Sequence, residues 1–247
     1  MNSNVTAIMT AMTDAERPWT GEALGSILKQ TVLPDEVILL VETRNTWIEA
    51  EIEALPERAL AERLMRIHRI PLARLGAVRN AGVARAGTKW VAFLDGDDVW
   101  KSRRLERQLG AAAHNPQALF IGADFVFVDA ESRPFAYANG SNPTPSSWLV
   151  DRALMLRQPF DPDLTIGEDF FWLKATRSYA PRVRVPEVLV GYRIRGLSLS
   201  ALHHGHSRQR RLREAMARAS RFGIVRLPML WASYLRYMAN RRHDYSV

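Results

Sequence analysis

Cysteine is absent from the 247-residue chain, which excludes disulfides and thiolate metal sites and leaves the redox compartment open. Long hydrophobic runs are missing as well. Nowhere do about 18 apolar residues follow one another without charge, the length a spanning helix needs. The nearest stretch, "FGIVRLPMLWASYLRYMA" at 222–239, is interrupted by Arg226, Pro228 and Arg236. The N-terminus, "MNSNVTAIMTAMTDAERPW", lacks both a basic opening segment and an unbroken apolar stretch, so no signal peptide is expected. Most of the chain also lacks a charge excess. The formal charge is +8, but residues 207–247 hold ten arginines against two acids, Glu214 and Asp244, a net of +8 on their own. Residues 1–206 therefore balance, and a body without a basic footprint is not expected to bind nucleic acid.

What is present is an ordinary globular composition, 47% hydrophobic and 24% charged, at a length that fits one large α/β domain or two small lobes sharing a core. The first half alternates strand-like and helix-like segments. "VTAIMT" (5–10), "DEVILLVE" (35–42), a short run near 66–70 and "KWVAFLD" (89–95) read as strands; 21–30, 46–64 with a break at Pro56, and 76–86 read as helices. Strands joined through helices imply right-handed crossovers and a mainly parallel, Rossmann-type sheet flanked by helices. A helix at 101–113, a strand at 118–130, a loop at 137–147, a helix opening at 167–178 and a late strand at 186–194 are expected next.

In such sheets ligands bind beyond the carboxyl ends of the strands. There the segment "FLDGDDVW" (93–100) crowds three carboxylates, Asp95, Asp97 and Asp98. Carboxylates held by a turn supply hard oxygen ligands to Mg²⁺ or Mn²⁺, with phosphate oxygens and water completing the shell. From the residues alone, an Asp-rich turn capping the next helix through Asp98 is an equal reading.

The stretch "GAVRNAGVARAGTKWVAFLDGDDVWKSRRLERQL" (76–109) resembles the central signature of the family 2 inverting glycosyltransferases of GT-A fold. The elements are Gly76, Arg79-Asn80, Gly87, the strand "VAFL", Asp95-Gly96-Asp97-Asp98 and Trp100. Upstream "SILKQTVLPDEVILLV" (26–41), and downstream "GEDFFW" (167–172) and "YRIRGLSLS" (192–200), are similar to further family motifs in the family's order. The resemblance implies a nucleotide-sugar donor, a divalent metal (Mn²⁺ or Mg²⁺) on Asp95 and Asp97, and displacement with inversion. It places Glu42, Arg79, Asp95 and Arg193 at the donor, Asp169 as general base, and Glu168, Trp148 and Trp172 at the acceptor. Phe170 and Phe171 join the two tryptophans as candidate sugar-stacking faces, with a core role as the alternative. Residues 1–118 are expected to bind the donor, 119–200 the acceptor, and 201–247 to form a helical, basic, amphipathic extension.

The family pattern is broken at "VETRNT" (41–46), where an acidic run is usual; Val41 and Glu42 stand there, which leaves UDP as the default base. Arg195 occupies a position where the family often has His, and is expected either to reach a diphosphate or to lie on the surface. "HHGH" (203–206) is a weaker candidate for metal contact. The tail alternates Arg with apolar residues, a pattern suited either to packing on the domain or to lying on an anionic membrane with Phe222, Leu230, Trp231 and Tyr234 buried. The expected protein is cytoplasmic or peripheral at the inner face of the membrane, acting on a glycan or lipid-linked acceptor. Two other readings are a non-catalytic nucleotide- or sugar-binding relative and a haloacid-dehalogenase-like phosphatase with Asp95 as nucleophile.

Overall fold

The computed structural model describes residues 3–138, 143–195, 212, 215–217, 219 and 223–240. Strands β1 (Val5–Ala11), β2 (Glu36–Glu42), β3 (Met65–Ile70) and β4 (Trp90–Asp95) alternate with helices α1 (Arg17–Leu28), α2 (Ile48–Glu53), α3 (Arg58–Leu64) and α4 (Leu75–Arg85). Then come β5 (Val99–Trp100), α5 (Arg104–His114), β6 (Phe120–Val128), β7 (Pro134–Tyr137), β8 (Trp148–Asp151), α6 (Arg152–Arg157), α7 (Glu168–Thr176), β9 (Arg182–Arg193) and α8 (Gly223–Asn240). Pro56 falls in the gap between α2 and α3, where a helix interior would clash with its ring.

All nine strands form one sheet in the order β3-β2-β1-β4-β8-β6-β9-β5, with β7 paired to β6. From β3 to β4 every pair is parallel; β1, β2 and β4 are nearly continuous apolar runs because helices cover both faces, while β3 at the sheet edge carries Arg66, His68 and Arg69 and is largely open. Beyond β4 the sheet is mixed: β8 is antiparallel to β4 and β6, while β9 runs parallel to β6. This is a GT-A-like α/β architecture with a C-terminal helix, and its parallel character belongs to the first half.

Two cores flank the sheet. Val5, Ala7, Met9, Leu39 and Leu94 pack toward α1. On the other face Ile8, Leu40 and Phe93 meet a ring cluster of Phe120, Trp148, Phe160 and Trp172. A buried ion pair sits on β6 and β9, where Arg184 Nε and Nη2 each donate to Asp124 at 2.8 Å. Tyr237 Oη of α8 donates to the same carboxylate at 2.8 Å, and its ring stacks on Tyr137 of β7. The C-terminal helix is thereby fastened to the sheet through one face. Among the described residues, no helix is long and apolar enough to cross a membrane.

Candidate active site

The parallel strands β1 and β4 end side by side, Thr10 opposite Asp95, so the chain leaving β4 emerges against the loop leaving β1. Gly96 makes the turn possible. A Cβ there would lie 2.7 Å from Thr10 O and 3.3 Å from Glu16 Oε2, closer than packed atoms tolerate. The turn therefore presses Asp95, Asp97 and Asp98 toward Glu16, whose carboxylate accepts the Met12 N–H at 2.8 Å.

Four carboxylates here face two guanidiniums. Arg79 lies buried between the ends of two elements, donating to Asp95 at 2.7 Å and also to Glu168 of α7. Burial works against its charge, but Asp95 and Glu168 hold its proton affinity above the ordinary arginine value. Arg195 donates to Asp97 and lies 3.7 Å from Glu16. The negative charge is incompletely offset. Burial, then Asp97, pushes Glu16 up to about 8 against the pull of Arg195. Burial, with Asp95 adding, raises Asp97 despite Arg195, and burial with Asp97 and Asp95 raises Asp98 well above the carboxylate range.

A cavity of about 380 Å³ opens on this cluster, lined by Thr10, Glu16, Leu72, Arg74, Asp95, Asp97, Tyr192 and Arg195 among others. A second cavity of about 440 Å³ lies between β6, β7 and α8, with Phe125, Phe127, Tyr137, Asp169, Tyr192, Ser233, Arg236 and Tyr237 in its walls. Tyr192 lines both. Asp95 and Asp97 line the first cavity with it and Asp169 the second. Gly167, at φ 84°, precedes α7 in the left-handed region that favours glycine, and the turn presents Asp169 in the first helical turn. Asp169 Oδ1 accepts the Phe170 N–H at 2.8 Å, while the N-cap position belongs to Gly167.

Several expectations need correction. Trp148 is fully buried and Trp172 is 2% exposed, both inside the ring cluster with their indole N–H groups on Pro143 O and Gln158 O; their faces are covered by protein and offer nothing to an acceptor. Phe170 and Phe171 are exposed instead. Arg193, expected at the donor, lines the cavity beside Asp95 and Asp97, with its N–H donors engaged by the protein: Nε on Asp97 O, Nη1 on Asp129 O and Ala130 O, Nη2 on Glu22 and Ser132 Oγ. It pins three loops together. Glu168 is buried against Arg79, so its carboxylate meets that guanidinium rather than an acceptor. Burial raises its proton affinity, and Arg79 opposes the rise. Arg79 itself acts through Asp95 and Glu168. Glu42 closes β2 but turns back on Arg44, accepting its N–H at 3.0 Å, and does not line the cavity. Asp98 accepts the Arg193 N–H at 2.9 Å and caps no helix. "HHGH" and Phe222 lie outside the described residues.

Glu16 and Tyr192 were not legible as site residues. Glu16 follows β1 in "TDAERPW", a segment that departs from the family pattern, and only the strand pairing brings it to Asp97. Tyr192 carried no chemical signal beyond its place beside Arg193; two cavities had to be seen to meet on it.

Asp95, Asp97 and Glu16 all line the cavity and are the hard oxygen type a divalent cation takes; burial, ahead of neighbouring charge, raises the proton affinities of Glu16 and Asp97. Among the described residues, no group of three or more acidic, imidazole or thiol side chains is placed to hold a metal ion by itself.

Among solved structures, the chain is similar to S. aureus TarS 1–349 in complex with UDP-GlcNAc, with a TM-score of 0.64 at 17% identity over 81% of this chain and 61% of that one. The same TarS portion in complex with UDP gives 0.61 at 16% identity, over 79% of this chain and 61% of that one. At these identities the likeness concerns the fold. Among curated proteins, the succinoglycan biosynthesis protein ExoO of Rhizobium meliloti (strain 1021) is 28% identical over 130 residues, 52% of this chain and 36% of its own length. The chain thus spans about a third of that relative. The profile described as Glycosyl transferase family 2 matches residues 7–146, more than half of the sequence, and the chain belongs to that family.

Proposed function

We propose that this family 2 glycosyltransferase moves a sugar from a nucleoside-diphosphate donor, UDP-linked by default, to a hydroxyl of a glycan or lipid-linked acceptor, with inversion and with a divalent metal. Surface-glycan or polysaccharide synthesis is the setting, in keeping with the role printed for ExoO. The observation that carries the reading is the junction at Tyr192, where a cavity edged by Asp95 and Asp97 meets one edged by Asp169. In this reading, residues 1–118 hold the donor and 119–200 the acceptor.

The chemistry asks for three things from these residues. Asp95 and Asp97 would hold the metal, which when bound neutralises the diphosphate and eases its departure as a Lewis acid. Arg79, buried between Asp95 and Glu168, fixes the strand end relative to α7 and so sets the distance between donor and base. Asp169 takes the acceptor proton: as the acceptor oxygen bonds to the anomeric carbon, its hydrogen passes to the carboxylate, and the electron pair of the breaking carbon–oxygen bond leaves with the diphosphate. Attack from the side opposite the leaving group gives inversion. The UDP complexes of TarS support UDP as the first donor to try.

The test is thermal stabilisation by UDP, GDP, CDP and dTDP with and without Mn²⁺, on wild type and Asp97→Ala. One nucleotide is expected to raise the melting temperature only with metal, and Asp97→Ala to abolish the rise. Loss of all binding would remove the donor site. A second reading, a non-catalytic nucleotide binder, is favoured by one observation: Glu42, at the position of the missing acidic run, is occupied by Arg44. Binding without donor turnover would select it. The phosphatase alternative has no support beside membership in the glycosyltransferase family.

A further inference from the structure

Helix α8 is apolar on two faces, and only one of them is used. Its inner face is seated: Tyr234 and Tyr237 pack on Tyr137, Tyr237 Oη reaches Asp124, and Ser233 Oγ accepts the Tyr137 N–H at 3.2 Å. Its outer face carries Ile224, Leu227, Trp231, Leu235 and Met238, spaced three or four residues apart as one stripe. Ile224 is 91% exposed and Leu227, Trp231 and Leu235 each more than 60%. Trp231 touches the Tyr234 ring and Met238 is 41% exposed; among the described residues the rest of the stripe is open to solvent.

Charge decides what lies against it. The helix holds Arg226 and, on its cavity side, Arg236, and no acid; the segment 207–247 has a net charge of +8 by sequence, with its other eight arginines outside the described residues. A second copy of the chain would bring two such segments together, at an electrostatic cost. An anionic lipid surface complements the charge, accepts the aliphatic stripe into its acyl boundary and suits an indole at the interface. The surface contact is made by Trp231 and the aliphatic residues; Tyr234, expected to join them from the sequence, faces the sheet.

We infer that α8 lies in the plane of an anionic bilayer with Ile224, Leu227, Trp231, Leu235 and Met238 inserted. The same helix supplies Ser233, Arg236 and Tyr237 to the cavity that holds Asp169. One face on the bilayer and the other on that cavity put the cavity at the membrane surface. Resting on the glycosyltransferase reading above, this selects a lipid-linked saccharide as the acceptor class, its anchor left in the membrane while its terminal sugar reaches Asp169.

The experiment is cosedimentation of the full chain with phosphatidylglycerol-containing and with pure phosphatidylcholine vesicles, for wild type and for Leu227→Glu/Trp231→Glu/Leu235→Glu. Wild type is expected to partition onto the anionic vesicles at least about tenfold more than onto the zwitterionic ones, and the triple variant to lose that preference. The substituted side chains are exposed, so its melting curve and its nucleotide stabilisation should match wild type; equal melting shows that lost binding is not lost folding. A wild type that stays in the supernatant, or a variant that binds as well, overturns the inference. So does light scattering that shows a wild-type dimer turned monomeric by the triple substitution, since the stripe would then seat a second copy. Nucleotide stabilisation is read without vesicles, so failure of the donor site and failure of the membrane face are separate results.

Discussion

The molecule contains two arginine–carboxylate assemblies that look alike in sequence and differ in completeness. At Asp124, both carboxylate oxygens are met, by a two-pronged guanidinium and by a phenol, in a site closed to water. At the ends of β1 and β4, Asp95 and Glu168 share Arg79, Asp97 and Glu16 share Arg195, Asp98 accepts the Arg193 N–H, and Glu16, Asp97, Asp98 and Glu168 have raised proton affinities. A satisfied buried pair adds specificity to a fold. An unsatisfied cluster opening on a cavity is held at a cost in stability, and such clusters are where ligands bind.

The comparison predicts opposite phenotypes for the two regions. The largest effect belongs to Asp169→Asn on the cleft side, which keeps size and hydrogen bonding but cannot take a proton. Turnover is expected to fall about a hundred- to ten-thousand-fold, with nucleotide stabilisation unchanged. An equal loss in nucleotide stabilisation would show that the residue shapes the fold of the cleft instead. Next is Arg184→Leu, which strands Asp124 in the core and should cost about 3–5 kcal/mol. At roughly 2–4 °C per kcal/mol for a chain of this size, the melting temperature should drop by about 10 °C, while the surviving folded protein turns over normally. Adding Asp124→Leu should recover much of the loss, as expected where a buried charge rather than a missing contact is the damage.

The first half of the fold was legible because β1, β2 and β4 are nearly unbroken apolar runs and because helix and strand periods alternate; β3, with two arginines and a histidine in six residues, was placed by its neighbours. The second half was less so. β5, β7 and β8 span two to four residues, too short to show a period, and their pairing is set by the sheet they join. Asp95, Asp97 and Asp169 are named from motif order, which survives without coordinates, and the structure puts the first two on one cavity and the third on another. Side-chain direction is not carried by order. Trp148 and Trp172 share a composition with sugar-binding aromatics, and only their packing on Phe120 and Phe160 shows that they are core. Arg193 has the chemistry of a phosphate ligand, but its donors are spent on carbonyls contributed by loops that no local pattern could bring together.

The smallest expected effect tests the cleft's incompleteness most directly. Glu16 holds its proton up to about 8, against an ordinary 4.5, so between those values the native state binds a proton that the unfolded chain has released. Its contribution is therefore present at low pH and lost as pH rises toward 8, where the native state must accept the charge or lose stability. In chelator-containing buffer, Glu16→Gln should remove that slope and, at pH 8, raise stability by about 1 kcal/mol, or roughly 2–4 °C. The same substitution takes one negative charge from the cavity wall, so the extra stabilisation given by nucleotide with Mn²⁺ should shrink. A gain in stability paired with a loss in ligand response is the pattern of a residue retained for binding at the expense of the fold. If stability falls at pH 8, or if the response to nucleotide is untouched, Glu16 is a loop fastener through its bonds to Met12 and Thr13, and the cleft's charge imbalance is confined to the three aspartates.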